Sequence, residues 1–156
     1  MNNEELRQFL INSNKAGYAG GEEKKWKKEP DGSTTIPFEK EKWRSHDNFF
    51  GGEPYGGRVV VFYENKPVWI MVYYGWVEKG VEANTVYGVL RNALKQMPKD
   101  APYRGPKEFI YKDFIYSNSW EGTLEKYSGE EEIRQGQKSL YKAFYRGGLV
   151  DHSEGV

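Results

Sequence analysis

The hydrophobic pattern of the chain is strongest in its middle. Residues 49–77 hold the longest nearly unbroken run of apolar and aromatic side chains, and β-branched and aromatic residues dominate 59–63 and 68–76. Two such runs on either side of a short polar turn are typical of a β-hairpin. Gly52 and Gly57 precede the first run, and if either has a positive φ, a β-branched residue is strained there. With a negative φ at both, close packing is the remaining reason for a glycine. The rest of the chain is expected to pack around this hairpin.

Two segments have the periodicity of amphipathic helices. Apolar residues recur at i, i+3 and i+4 in both, which places them on one face of a helix. Asn2 or Asn3 can cap the first helix, and Asn84 or Thr85 the second, which Pro98 ends. The apolar positions are Leu6, Phe9 and Leu10 in the first helix and Val86, Val89, Leu90, Ala93, Leu94 and Met97 in the second.

The remaining segments are shorter or less regular. Residues 22–34 mix charges with Pro and Gly, which predicts a mobile charged loop. The tail at 151–156 has nothing to anchor it, so we expect it to be frayed. A second hairpin is predicted to turn at 135–137. The strand-like segments are 36–50, 109–116 and 123–127, and the second hairpin spans 131–145.

The two halves of the chain contain related sequences. Leu-Arg-x-x-Leu in the first helix recurs 84 positions later, and Tyr18-Ala19-Gly20 matches Tyr103-Arg104-Gly105 at an offset of 85. Ordered matches predict that 3–77 and 84–149 are duplicated helix-plus-three-strand units with pseudo-two-fold symmetry. Chance similarity between two hairpins is the alternative. The hairpin matches, at an offset of 72, are Tyr55 with Tyr127, Gly57 with Gly129, Lys66 with Lys138, and Tyr73 with Tyr145.

These elements predict a single α+β domain over residues 1–150, with two helices packed on a mostly antiparallel, curled β-sheet. Side chains alternate along a strand, so Trp69, Met71 and Tyr73 share one side, which we expect to face the helices. The other side is also apolar and needs a cover. Curling of the sheet, a second subunit in a homodimer or a bound ligand can each provide it, and curling is the simplest. That side carries Val68, Ile70, Val72 and Tyr74.

Composition and charge exclude several classes of function. The 156 residues include 23 basic and 23 acidic ones, so no net charge attracts nucleic acid, and direct nucleic-acid binding is not expected. The absence of cysteine excludes disulfides and thiolate chemistry. The N-terminal sequence lacks the basic and apolar regions of a signal peptide, and no apolar run reaches the roughly 20 residues of a membrane-spanning helix. We therefore predict a cytoplasmic protein that does not enter membranes.

Reactive side chains are few and scattered. His46 and Asp47 are adjacent, so on a strand they point to opposite faces, and His152 lies in the tail. Neither histidine supports a metal site, and no phosphate-binding or dinucleotide-binding fingerprint indicates a cofactor. Asp47, Glu53 or a carboxylate among 130–132 can serve an enzyme only if two of them converge in one cleft. The sequence therefore assigns no catalytic residue, metal ligand or cofactor.

Several linked motifs resemble those of a microbial domain family of unknown function. The motifs are Tyr18-Ala19-Gly20-Gly21, Asp47-x-Phe49-Phe50-Gly51-Gly52-Glu53, Lys66-Pro67-Val68-Trp69-x-Met71-x-Tyr73-Tyr74-Gly75, Arg104-Gly105-Pro106 and Gly129-x-Glu131. Members of that family occur alone or behind an N-terminal helix-turn-helix, so the resemblance implies the sensory or interaction domain of a regulator. It implies no activity or ligand. This chain departs from the family pattern at Ser45-His46 and at Val59.

Two interpretations of function remain open. A surplus of aromatic residues, with 5 Trp, 12 Tyr and 8 Phe, and little catalytic equipment favours a non-catalytic module that binds a small molecule or a protein. The alternative is a hydrolase-like enzyme that uses carboxylates in an aromatic-lined cleft. For the binding module we predict a site beside the central hairpin, where open glycine backbone adjoins flat aromatic side chains. Filling of the core by the same aromatics is the competing interpretation. The predicted site residues are Tyr18, Phe50, Gly51, Gly52, Tyr55, Trp69, Tyr73 and Tyr74.

Overall fold

The computed structural model describes residues 2–19 and 26–150, except for the side chains of Tyr18 and Ala19. The tail at 151–156 and residues 22–25 of the predicted charged loop lie outside the described residues. The later part of that loop contains a two-residue strand and a turn. In this turn the Asp31 carboxylate accepts hydrogen bonds from the Ser33 amide at 2.9 Å and from the Ser33 hydroxyl at 2.6 Å.

The first predicted helix, α1, spans Asn3–Asn14. The Asn2 side chain caps it by accepting a hydrogen bond from the Glu5 amide at 2.8 Å, and the Glu5 carboxylate accepts one from the Asn2 amide at 3.2 Å. This reciprocal pair is a capping box, which satisfies two backbone donors that the first turn leaves unpaired. A π-helical turn at Lys15–Ala19 follows α1.

The second predicted helix, α2, spans Ala83–Leu94. Its cap is Glu82 and not Asn84 or Thr85, because the Glu82 carboxylate accepts hydrogen bonds from the amides of both residues, at 2.9 and 2.7 Å. A carboxylate at the N-terminus also favours the helix dipole. Sequence reasoning misplaced the start of α2 because Asn and Thr are the commoner caps.

The strands of the described residues form one antiparallel sheet. Its order is β1-β2-β3-β4-β5-β9-β8-β7-β6, so the first half of the chain supplies one side of the sheet and the second half the other. The halves meet where β5 pairs with β9. The strands are β1 Lys27–Lys28, β2 Thr34–Lys40, β3 Trp43–Gly51, β4 Tyr55–Tyr63, β5 Lys66–Val77, β6 Glu108–Tyr111, β7 Phe114–Thr123, β8 Lys126–Gln135 and β9 Lys138–Leu149.

Each half has one more main strand than the three that we predicted, namely β2–β5 in the first half and β6–β9 in the second. The predicted strand at 36–50 is in fact two strands joined by a tight turn, in which Glu41 has φ 57°. Lys112 has φ 55° in the equivalent turn between β6 and β7. Neither turn contains Gly or Pro, the strongest turn signals, and the turn at Glu41 contains none of the usual turn residues.

Both helices pack on one face of the sheet, as the alternation of side chains predicted. α1 packs in a cluster with Trp69 and Met71, and α2 in a cluster with Tyr141 and Ala143. Val77 of β5 pairs directly with Tyr141 of β9, and directly paired residues lie on the same face. The core is therefore a single layer between the sheet and the two helices.

The predicted outer face differs in one position because of a β-bulge. The β4–β5 pairing shifts after Val61, and Val68 packs with the helix-side cluster and not on the outer face. The β8–β9 pairing shifts in the same way after Ile133, and there Leu140 is buried under α2. A bulge inserts one residue into the alternation, which a strict period of two cannot predict.

Curling of the sheet does not cover the rest of the outer face. Val72, Tyr74 and Phe144 are 45%, 51% and 49% exposed. Both helices lie on the other side of the sheet, so the described part of the chain leaves these side chains in contact with solvent. The expectation that curling would bury this face is therefore wrong.

Candidate ligand-binding site

A cavity of about 590 Å³ lies between the sheet and the ends of both helices. This volume falls within the roughly 300–1,000 Å³ that is usual for small-molecule sites. Its walls come from the end of α1 and the turn that follows, from β2 to β5, and from the end of α2 with the loop beyond it. The described lining residues are Leu10, Ser13, Asn14, Ala16, Gly17, Trp26, Ile36, Pro37, Phe38, Glu39, Asp47, Val59, Trp69, Met71, Tyr73, Leu94, Met97, Pro102, Tyr103 and Arg104.

Rigid apolar side chains form most of the wall. Trp69 is 1% exposed, and its indole N–H donates a hydrogen bond to the Leu124 carbonyl at 3.1 Å, which fixes the ring. The ring also stacks on Tyr127 with centroids 5.6 Å apart. Leu10 from α1 and Leu94 from α2 close the cavity from the helix side. A ligand would therefore meet a preformed apolar surface.

The polar part of the cavity is built on Asp47 and Tyr73. The Tyr73 hydroxyl donates a hydrogen bond to Asp47 Oδ1 at 2.5 Å, across the intervening strand β4. Burial raises the pKa of Asp47, and the Tyr73 hydrogen bond and the positive charge of Arg104 oppose that rise. The carboxylate is thus held in an environment that disfavours its charge.

Arg104 reaches the cavity from the loop after α2, but its charge is already paired. Its Nε lies 3.0 and 3.1 Å from the two carboxylate oxygens of Glu131, and its Nη2 lies 2.9 Å from one of them. Arg104 is 5% exposed and Glu131 2% exposed. Tyr116 donates a further hydrogen bond to Glu131 at 2.6 Å, so this carboxylate is well satisfied.

A similar tyrosine hydrogen bond occurs in the second half without a carboxylate. The Tyr145 hydroxyl donates to Asn118 Oδ1 at 2.7 Å, and Asn118 Nδ2 donates to the Gly105 carbonyl at 2.8 Å. In the backbone register, Asp47 of β3 lies opposite Val59 of β4, and Asn118 of β7 lies opposite Glu131 of β8. The two halves therefore hold a comparable hydrogen bond in comparable strands.

The halves differ in how much side chain fills the space beside that hydrogen bond. In the second half Tyr116 and Glu131 occupy it, and both are buried. At the matching positions of the strand pairing, the first half has Ser45 and Val59. These are much smaller side chains, and this half is where the cavity lies.

The predicted site residues fall into separate places in the fold. Trp69 and Tyr73 line the cavity. Tyr55 lies next to them, with its ring 6.0 Å from Tyr73, but its hydroxyl bonds to Tyr141 and it is not part of the lining. The side chain of Tyr18 is not among those described.

The other four predicted residues lie away from the cavity. Phe50, Gly51 and Gly52 are exposed at the turn between β3 and β4, and Tyr74 is exposed on the outer face. The structure therefore brings together only part of the predicted set. Side chains alternate along a strand, so the adjacent residues Tyr73 and Tyr74 point to opposite faces of the sheet and could not both line one cavity.

Sequence reasoning missed several residues that line the cavity. Val59, Met71, Tyr103 and Arg104 were not assigned to a binding site, although all four lie in it. A comparison of the two matched halves gives a usable signal for one of them, because Val59 stands where the other half has Glu131. A loss of side-chain volume at a core position can mark a cavity.

Neither Gly52 nor Gly57 has a positive φ, and the left-handed residue of this turn is Gly51, with φ 78°. Gly57 is required for a different reason. A Cβ at this position would lie 2.5 Å from the Asn48 carbonyl oxygen and 2.6 Å from the Phe49 Cβ. A Cβ on Gly52 would have no atom within 4 Å.

The carboxylates that an enzyme would need are held in separate networks. Glu53 accepts hydrogen bonds from the Val77 amide at 2.8 Å and from the Tyr87 hydroxyl. Glu131 is bound to Arg104, as described above. Within the ranges that the structure describes, no three His, Asp or Glu residues gather as a metal ligand set.

His46 lies on the opposite face of β3 from Asp47, as predicted for adjacent residues. Its Nε2 lies 2.8 Å from Arg44 Nη1, and burial lowers its pKa, with the Arg44 charge acting in the same direction. A histidine kept neutral beside an arginine is a poor partner for a carboxylate on the other face. The dipeptide therefore does not form an acid–base pair.

Comparison with known proteins identifies a family but no function. The family described as Domain of unknown function (DUF5680) matches residues 47–150, so the chain belongs to this family. This match confirms the predicted resemblance to a family of unknown function. No curated protein and no solved structure matches the chain. Neither α1 nor α2 nor any other described helix has the length and apolar character needed to cross a membrane.

Proposed function

We propose that this member of the family is a non-catalytic module that binds a small molecule in the cavity between its sheet and its helices. The observation that carries this proposal is a cavity of about 590 Å³ with a mainly apolar wall and a few polar groups on one side. Ligand sites commonly combine these two features. The separation of Glu53 and Glu131 into different networks supports a binding role over a two-carboxylate hydrolase.

We also infer that the halves of the chain arose by duplication. The positive φ of Glu41 and Lys112 falls 71 positions apart, in turns at the same place in each half. The two β-bulges also fall at matching places in their hairpins. Tyr73 lies directly opposite Tyr145, as a two-fold relation between duplicated units requires. On this proposal one unit kept a filled core and the other opened a cavity.

A role as the sensory part of a regulator fits this proposal. The cavity would receive the ligand, and the exposed face with Val72, Tyr74 and Phe144 would contact a protein or a second copy of the chain. We propose the cytoplasm as the place where this happens. A ligand that orders the cavity wall would then alter the stability of the whole sheet.

A ligand screen on two matched variants tests the binding proposal. Val59→Trp puts a large side chain into the cavity, whereas Val60→Trp, one residue along β4, puts the same side chain on the opposite face. Compounds that raise the melting temperature of the wild type should do the same for Val60→Trp but not for Val59→Trp. The proposal is wrong if every stabilising compound acts equally on both variants, or if no compound in a broad metabolite library acts on the wild type.

A further inference from the structure

We propose, resting on the binding function above, that the cavity selects an apolar ligand that carries a protonated amine, and that this amine pairs with the carboxylate of Asp47. Three observations lead to this ligand class. They concern the charges around the cavity, the presence of a carboxylate where a neutral amide suffices, and the aromatic groups beside it.

The first observation is the balance of charge. Asp47, Glu39 and Arg104 are the charged residues among the described lining. The Arg104 charge is paired with Glu131 at 2.9 Å. Glu39 lies opposite Arg44 in the register of β2 and β3, and Arg44 is on the face of β3 away from Asp47. Directly opposed residues share a face, so the Glu39 side chain also points away from Asp47. Among the described lining residues, Asp47 is therefore the acidic side chain that faces the cavity, and a cationic group complements it.

The second observation is that the fold does not need a charge at this position. Asn118 accepts the corresponding hydrogen bond from Tyr145 at 2.7 Å as a neutral amide. An aspartate accepts the same bond from Tyr73 in the first half, although burial disfavours its ionised form. A neutral amide is enough for this contact in the second half, so the carboxylate of Asp47 in the cavity indicates a role in binding.

The third observation is the chemistry around the carboxylate. A carboxylate can accept about four hydrogen bonds, and Tyr73 donates one, to Oδ1. Tyr103 also lines the cavity, and its ring can stabilise a cation that binds near it, whereas the Tyr73 ring already has the Arg104 guanidinium 5.7 Å from its centroid. An anionic ligand would instead be repelled by Asp47, since the charge of Glu131 is balanced by Arg104. An amine with an apolar body matches both the polar and the apolar parts of the site.

Three matched probes test the inference, namely phenylbutylamine, phenylbutanol and phenylbutanoate, which differ only in the terminal group. Their dissociation constants would be measured by NMR titration of the backbone amides at pH 7. In the wild type the amine should bind about 10- to 100-fold more tightly than the alcohol, since a hydrogen bond to a charged group contributes in that range. In Asp47→Asn this preference should disappear, with the alcohol affinity changed by less than about twofold, as for an uncharged contact. Glu39→Gln, the control at a carboxylate whose side chain lies on the other face of β2, should keep the preference.

The outcomes separate this inference from the binding function. If the alcohol binds the cavity as tightly as the amine in the wild type, or if the butanoate binds best, the inference is wrong and the binding function stands. If the amine preference survives in Asp47→Asn, the inference is also wrong. If none of the three probes shifts the amides of Asp47, Met71 or Arg104, both proposals fail for this ligand class. The comparison in the wild type does not depend on the folding of any variant.

Discussion

The buried pair of Arg104 and Glu131 gives the sharpest prediction about stability. Replacing Glu131 by Gln keeps the shape of the side chain but removes its charge, and it takes from the buried guanidinium of Arg104 the carboxylate that contacts it directly. Both residues are at most 5% exposed, so water cannot replace the lost partner. Breaking such a pair costs about 3–5 kcal/mol. Since a domain of this size is stable by about 5–15 kcal/mol, the variant should lose a large part of its stability.

Urea denaturation followed by tryptophan fluorescence would measure this loss. Glu130→Gln, one residue away and exposed, is the matched control and should change the free energy of unfolding by less than about 0.5 kcal/mol. The double variant Arg104→Met with Glu131→Gln removes both charges and keeps an acceptor for the Tyr116 hydroxyl. It should be more stable than the sum of the two single changes predicts, by about 1–3 kcal/mol. A loss below about 1 kcal/mol in Glu131→Gln, or strictly additive effects, would refute the role of this pair.

Further predictions concern the helices, the cavity acid and the glycines. Leu10→Ala and Leu94→Ala truncate side chains that are only 6% and 2% exposed, so each should lower the free energy of unfolding by about 2–5 kcal/mol in denaturant melts. An unchanged midpoint would show that the helix concerned does not pack as described. Burial in the folded state raises the pKa of Asp47 above its ordinary value of 3.8, so the free energy of unfolding should fall as pH rises through the range above 3.8. This fall should be absent in Asp47→Asn. A stability difference between the two proteins that does not change with pH would contradict the prediction. Gly57→Ala should lower the melting temperature because its Cβ meets backbone 2.5 Å away, whereas Gly52→Ala should have little effect, and equal effects would refute the close packing at Gly57.

Local patterns predicted the elements of this fold better than their ends. The apolar stripe around Leu6 and the spacing around Val89 predicted both helices, because burial of one helix face leaves a strong period in the sequence. The strand break at Glu41 was missed, since a non-glycine residue adopts the left-handed conformation there. The cap at Glu82 was missed because it depends on a side chain that folds back onto the helix.

The site was harder to predict than the fold. Trp69 and Tyr73 were assigned from their aromatic character and do line the cavity, while Tyr74 and Phe50 have the same character and do not. Composition cannot distinguish a wall residue from an exposed one. Val59 lines the cavity and is smaller than Glu131, its counterpart in the other half. This difference is visible only when the two halves are compared.

The contrast between the two halves explains why a cavity persists in a closely packed core. The second half fills the corresponding space with Tyr116 and Glu131, which are among the largest fully buried side chains. With Val59 in place of Glu131, the first half leaves volume beside Asp47 that the surrounding sheet does not close, because its strands are fixed by pairing on both sides. A cavity that contains a buried carboxyl lowers the stability of the fold, and binding sites commonly depart from optimal packing in this way.

An NMR titration of the wild type and of Val59→Trp with phenylbutylamine tests the central claim most directly. Binding in the cavity predicts that the amide signals of Asp47, Met71 and Arg104 move in the wild type, and that those movements are lost in Val59→Trp while the rest of its spectrum remains that of a folded protein. Movements confined to Val72, Tyr74 and Phe144 on the outer face, or equal movements in both proteins, would contradict the claim that the cavity is the binding site.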